Sequence, residues 1–136
     1  MAVNVYIVET ARVHEVWPVC AGMLEKAVGL THGRDTTEKV RANVESGDYQ
    51  LFVAMEEGKI VGACVTHLAE YPNAIWLRVV HCGGDHLERW IGQGFEAVRD
   101  WARLNKCAGI DMVTTRKEWA RLLDLKITAY RMELVL

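Results

Sequence analysis

The sequence predicts an α/β fold of the mixed α+β kind, built on a mixed sheet of about six strands. Three observations predict it. Residues 49–81 contain three β-rich apolar runs joined by the short turns Glu56-Glu57-Gly58-Lys59 and Tyr71-Pro72-Asn73, which is an antiparallel meander. Leu87, Trp90, Ile91, Gly94, Phe95, Val98, Trp101 and Ala102 recur at helical spacing, with charged residues between them, which is an amphipathic helix with a wide apolar stripe. A further β-rich run, 109–114, follows that helix. It should pair parallel to 74–81, because a helical crossover returns the chain in the same direction. With 136 residues and 51% hydrophobic composition, the chain suits one domain with its own core.

Each element has its own local signal. Residues 3–9 alternate Val3, Val5 and Ile7 with Asn4 and Tyr6, a first strand at or near a sheet edge. Thr10 can cap the first helix. Val13, Val16, Trp17, Cys20, Met23, Leu24, Ala27 and Val28 mark that helix, which Gly29 ends. Pro18 is tolerated there if the helix starts near His14, since first-turn N–H groups have no helical partner. Residues 31–35 form a polar loop. Thr36 or Thr37 caps a second, shorter helix carrying Val40 and Val44, and Gly47 stops it. Strands 49–55 and 60–68 make a hairpin, and 74–81 reads as a strand buried on both faces. Cys82-Gly83-Gly84-Asp85-His86 reads as a glycine turn, with Asp85 as N-cap of the amphipathic helix. A short helix over 118–125 turns Trp119, Leu122 and Leu123 inward. A sixth strand covers 127–136, where Ile127, Ala129, Met132, Leu134 and Leu136 are apolar.

Composition removes several functions. A net charge of −2 offers no bulk attraction for nucleic acid or an acidic membrane surface. The cluster Arg116, Lys117, Arg121 and Lys126 reads first as a solvated helix face, with a local basic patch for nucleic acid as the lesser alternative, against which the acidic balance counts. No apolar run reaches about 18 residues, and the first residues lack the basic start and long apolar run of a signal peptide, so a cytoplasmic protein is expected. The four cysteines form no C-x-x-C pair, which argues against a zinc site or a disulfide framework. Cys20, Cys64 and Cys107 read as small core residues. Cys82 lies in the glycine turn, where a helix N-terminus lowers thiol pKa and an acyl-enzyme becomes conceivable. No Ser-His-Asp, metal-ligand or P-loop pattern occurs.

The chemistry therefore turns on residues 74–107. Strand, glycine turn and helix is how many α/β folds make an anion site from backbone amides. Candidate bases stand close by in sequence. His67 and Glu70 flank the meander turn. His81 ends the 74–81 strand, and its unperturbed pKa suits amine deprotonation.

The order β, α, α, β, β, β, α, β, α, β resembles that of the GNAT superfamily of acetyl-CoA-dependent N-acyltransferases, over nearly the whole chain. Trp17-Pro18, Tyr71-Pro72, Gly83-Gly84-Asp85 before Trp90, and Trp119 opening the last helix are similar to features of small GNAT-like proteins of tailed phages. The resemblance implies helices on both faces of the sheet, a splay between the fourth and fifth strands that receives pantetheine, and a pyrophosphate loop after the fourth strand. It thus implies acetyl-CoA as cofactor, bound around Val80, His81, Cys82, Gly83, Gly84, Asp85, His86 and Leu87, and an amine acceptor. The family's loop pattern is Gln or Arg, two residues, Gly, one residue, Gly or Ala. Here the opening and closing positions hold Val80 and Asp85, or His81 and His86. The family's acid is often a tyrosine in the last helix; Leu122 holds that position, and Tyr130 falls nearby in the last predicted strand. The expected function is an N-acyltransferase with His81, Glu70 and Tyr130 as catalytic candidates. The alternative is an inactive protein of the same fold, encoded by a phage, that binds a virion or host protein.

Overall fold

A computed structural model describes residues 3–114 and 116–136. One five-stranded sheet organises them, in the order β1-β2-β3-β4-β5. The strands are β1 (Asn4–Ile7), β2 (Tyr49–Glu56), β3 (Lys59–Tyr71), β4 (Ala74–Gly84) and β5 (Gly109–Met112). The first four are antiparallel neighbours, and β4 pairs parallel with β5, as the helical crossover requires. Between β2 and β3, Glu57 and Gly58 both take positive φ, +51° and +77°, the geometry of a tight hairpin whose twist matches its strands.

Helices cover both faces. α1 (Val13–Gly29) and α2 (Thr37–Ser46) pack through Trp17, Cys20, Leu24, Val40 and Val44 against Leu51, Val53, Ala63 and Val65. α3 (Leu87–Leu104) and the short α4 (Glu118–Leu122) pack through Trp90, Phe95, Val98 and Trp119 against Phe52, Ala54, Cys64, Leu77 and Val79. Residues of β2 alternate between the two cores, Leu51 and Val53 against Phe52 and Ala54, so the strand reads as continuously apolar. Thr36 caps α2 by accepting from the Lys39 N–H at 3.1 Å, and Gly47 closes it at φ +87°. α1 begins at Val13, after a 3-10 turn at Thr10–Arg12, so Pro18 lies beyond the first turn. The helix runs through it on an exposed side.

Several sequence expectations are corrected. The sheet has five strands, and residues 127–136 form none of them. Their alternation would give a strand a face, but a strand also needs a ladder partner, and here none adjoins them. β5 stops at Met112 instead of continuing to Thr114. β4 continues to Gly84, so Cys82, Gly83 and Gly84 are strand and the turn is confined to Asp85 and His86. His86, at φ +49°, is the N-cap of α3, and neither it nor Asp85 caps with its side chain. Asp85 instead donates its N–H to the Val61 carbonyl at 2.9 Å, and its own carbonyl accepts from Trp90 Nε1 at 3.0 Å. Leu122 is exposed, whereas Trp119 and Leu123 are buried. Along α3, Trp90 is buried and Glu88 and Arg103 are exposed, but Trp101 is only half-buried. Arg99 is also half-buried, its guanidinium lying 5.0 Å from the Phe95 ring centre.

Candidate functional site

The site begins with a break in pairing. β4 and β5 are in register from Trp76 with Gly109 to Val79 with Met112, and then part. On the other side of β4, Val65 faces His81 while Thr66 faces Val79, which leaves Val80 as an extra residue. Such a bulge bends its strand and re-aims the residues beyond it. The β5-facing edge of β4 beyond Val79 therefore has no strand partner among the described residues.

A cleft of about 520 Å3 opens at this divergence. β4 contributes Arg78 to Cys82, and the end of β5 with the segment after it contributes Met112, Val113, Thr114 and Arg116. The loop between α1 and α2 closes one side with Thr31, His32, Arg34 and Asp35. Arg131 and Glu133 come from the C-terminal segment, and Trp119 from α4.

His81 is the central polar group of this cleft. It is 6% exposed, and its Nε2 lies 2.8 Å from Asp35 Oδ2. Asp35 is held by its own loop. Its Oδ1 accepts from the Thr36 N–H at 2.9 Å, its N–H donates to Thr31 Oγ1 at 3.2 Å, and that hydroxyl donates to the Val28 carbonyl at 2.7 Å. The last turn of α1 thus fixes the carboxylate that meets the histidine. A carboxylate only accepts, so Nε2 carries the proton and the Nδ1 lone pair of a neutral His81 stays available.

The cleft is rich in cations. Arg34 bonds Glu133 at 2.7 Å, and Arg78 forms a two-pronged pair with Asp111 at 3.0 and 3.1 Å. Arg116 and Arg131 have no ion pair among the described residues. Arg116 is near enough to Cys82 to draw its thiol pKa down. The neighbouring Cys64 thiol, opposite it on β3, and then burial outweigh this and push Cys82 well above the ordinary thiol range. Cys82 is a strand residue instead of a helix-terminal one, so the lowered pKa that an acyl-enzyme would need is absent.

The sequence candidates divide. Val80, His81 and Cys82 line the cleft, whereas Gly83, Gly84, Asp85, His86 and Leu87 are outside its lining. Gly83 pairs with Ala63 and Gly84 with Gly62. A Cβ on Gly83 would stand 2.1 Å from the Met23 carbonyl oxygen of α1, and one on Gly84 would stand 2.4 Å from the Val61 carbonyl oxygen. Both glycines serve close backbone packing. Glu70 is exposed opposite Ile75, six residues before His81 on β4 and so about 20 Å away along the strand. His67 is engaged by the Asp48 carbonyl at 3.1 Å and by the Tyr49 ring. Tyr130 is exposed and does not line the cleft. Asp35, Arg116 and Arg131 are the residues that sequence reasoning missed. Asp35 sits in a polar loop 46 positions from His81, and no spacing rule links the two. Among the described residues, no cluster of three or more His, Cys, Asp or Glu is placed to hold a metal, and no helix is long and apolar enough to cross a membrane.

No family model matches the sequence, and no curated protein matches it. Solved structures do. A ribosomal-protein-alanine N-acetyltransferase from Brucella melitensis biovar Abortus 2308 superposes with a TM-score of 0.67 at 17% identity, covering 99% of this chain and 98% of that one. An aminoglycoside acetyltransferase from an uncultured soil metagenomic sample gives 0.70 at 16% identity, covering 100% and 98%. A predicted acetyltransferase from Clostridium acetobutylicum, solved with acetyl-CoA, gives 0.67 at 11% identity, covering 98% and 96%. At such identities the likeness establishes the fold, which is that of the GNAT-family acetyltransferases.

Proposed function

We propose that this protein is an acetyl-CoA-dependent N-acyltransferase whose reaction takes place in the cleft between β4 and β5. The observation that carries the reading is the divergence of two parallel strands at a bulge, which leaves one backbone edge unpaired beside a cationic cleft. The acetyltransferase names of proteins with this fold support it, as does acetyl-CoA in one of their structures.

The residues fit the cofactor. Amides in an extended pantetheine arm match the unpaired edge of β4 beyond Val79, as one further strand would. Arg116, which has no ion pair among the described residues, suits phosphate. Gly83 and Gly84 then act by letting β4 approach α1 and β3, and Asp85, whose N–H is already taken, contributes nothing to an anion. When bound, acetyl-CoA supplies a thioester carbonyl open to attack. The chain's own part is proton movement. Asp35 orients His81 through Nε2, and Nδ1 receives a proton from the incoming ammonium, freeing the amine lone pair. Glu70 is placed too far along the sheet to share this step. Leu122 cannot donate a proton, and Tyr130 lies outside the cleft lining, so among these candidates a protonated His81 would be the chain's own proton donor to the leaving group. A cytoplasmic setting, resting on the sequence pattern, and a phage origin, resting on the likeness to small phage proteins, remain part of this proposal.

The test is release of free CoA, measured by chromatography, from acetyl-CoA with a panel of amines that includes peptide N-termini and aminoglycosides. Turnover with at least one amine is expected. His81→Ala should lower kcat about 100-fold or more, the scale of a lost general base. Asp35→Asn should lower it less and shift its pH profile. Undiminished turnover in His81→Ala would remove the assigned base. Absence of turnover with every amine, in a protein that binds acetyl-CoA, would favour the non-catalytic alternative.

A further inference from the structure

We propose that Cys64 and Cys82 form a reversible disulfide across β3 and β4, made by exchange with a low-molecular-weight disulfide. Register carries the inference. Cys64 stands directly opposite Cys82 in the antiparallel pair, so both side chains leave the same face of the sheet. That face is the α3 side, where the two residues line one small void of about 10 Å3. Both thiols are free in this structure. Cys20 lies in α1 and Cys107 between α3 and β5, so neither has a ladder partner.

The phase of the ladder sets how near the two come. Opposite residues of an antiparallel pair alternate between hydrogen-bonded and non-hydrogen-bonded positions. The Asp85 N–H donates to the Val61 carbonyl at 2.9 Å, in the register that sets Gly62 opposite Gly84. Counted from that bonded pair, Ala63 with Gly83 is bonded, whereas Gly62 with Gly84 and Cys64 with Cys82 are not. A non-hydrogen-bonded position brings the Cα atoms to about 4.5 Å, within the range of about 4.4–6.8 Å that a disulfide spans. The glycine pair of the same phase shows this closeness, since a Cβ on Gly84 would stand 2.5 Å from the Gly62 Cα. Cys64 is also the leading cause of the raised Cys82 thiol, ahead of burial, as an adjacent sulfur would be.

Cys82 lines the cleft, whereas Cys64 is only 8% exposed, so Cys82 reacts first. Its thiolate bonds one sulfur of the small disulfide and breaks the S–S bond. The departing small thiolate takes up the proton that Cys82 released. Cys64 then attacks the Cys82 sulfur of this mixed disulfide, and its proton passes to the second small thiolate. Two protein thiols are oxidised and one small disulfide is reduced to two thiols. The raised thiol keeps the thiolate scarce, so the exchange takes hours. The bond lies one residue from His81, beside the bulge at Val80. Oxidation thus fastens β4 to β3 where the cleft begins, whatever the cleft binds.

Intact mass and peptide mapping without reductant test this on the folded full chain, incubated with millimolar glutathione disulfide. The expected product has lost two hydrogens, joins the Cys64 and Cys82 peptides, and reverts with dithiothreitol. Cys64→Ser should instead stop with one glutathione held on Cys82, a result that a merely structural Cys64 would not give. A cooperative melt shows that the variant is folded; if it is not, the wild-type map alone decides. Four free thiols in the folded wild type after prolonged incubation would overturn the proposal. So would a glutathione that stays on Cys82 while Cys64 is free, or a cross-link that forms only once urea has unfolded the chain.

Discussion

His81 and Asp35 depend on each other in this fold, because a buried imidazole needs a partner and a loop carboxylate needs anchoring to provide one. The two tryptophans of α3 illustrate the same accounting. Trp90 is 3% exposed and its indole N–H has the Asp85 carbonyl, so Trp90→Ala should cost about 3–5 kcal/mol in urea unfolding. Trp101 encloses its N–H without an acceptor among the described residues, although the ring is half-buried. Trp101→Phe should therefore be neutral or stabilising by up to about 1 kcal/mol, since it removes an unsatisfied donor while keeping most of the ring. A loss as large as that of Trp90→Ala would show that the donor has a partner. Cys20 gives a pH signature. Burial raises its thiol from 9.0 to about 11. Below pH 9 both folded and unfolded chains hold this proton. Between pH 9 and 11 the unfolded chain releases it while the folded chain keeps it, so stability falls as pH rises. Cys20→Ala should flatten this fall by at most about 2–3 kcal/mol. Urea midpoints of both proteins across that range check it, and equal slopes would contradict it.

At the scale of elements, the contact between α1 and β4 depends on the absence of one methyl group. Gly83→Ala puts a Cβ into the Met23 carbonyl, and helix backbone cannot step aside as a side chain tip can. A loss of about 1–3 kcal/mol is expected, read as a lower urea midpoint; an unchanged midpoint would mean that α1 does not seat there. This role could not be read from the sequence. Gly83-Gly84 before a helix looks like a turn because glycine signals conformational freedom, whereas here its use is close approach, which depends on a helix 60 positions earlier. Elements whose causes are local were legible. The β2–β3 hairpin, the Thr36 cap and the apolar stripe of α3 all follow from neighbouring residues. Residues 127–136 were not, because period-two alternation specifies a face and never a partner. In the cleft, His81 was singled out by its place at the end of the strand expected over 74–81, although β4 in fact continues to Gly84. Asp35 was not, since only the folded α1–α2 loop brings it to the imidazole.

Across the whole molecule, the parting of β4 and β5 is the feature to which the other parts lead. The meander fixes β4, the crossover helix brings β5 alongside it, and the bulge at Val80 ends their pairing after Met112. α1 and its loop then supply the carboxylate and one wall of the cleft. This opening is the proposed cofactor site, and calorimetric titration of the full chain with acetyl-CoA tests that assignment most directly. One site per chain with a micromolar dissociation constant is expected, weakened about tenfold, or about 1.4 kcal/mol, in Arg116→Ala. No heat of binding from the folded protein at millimolar acetyl-CoA would contradict it.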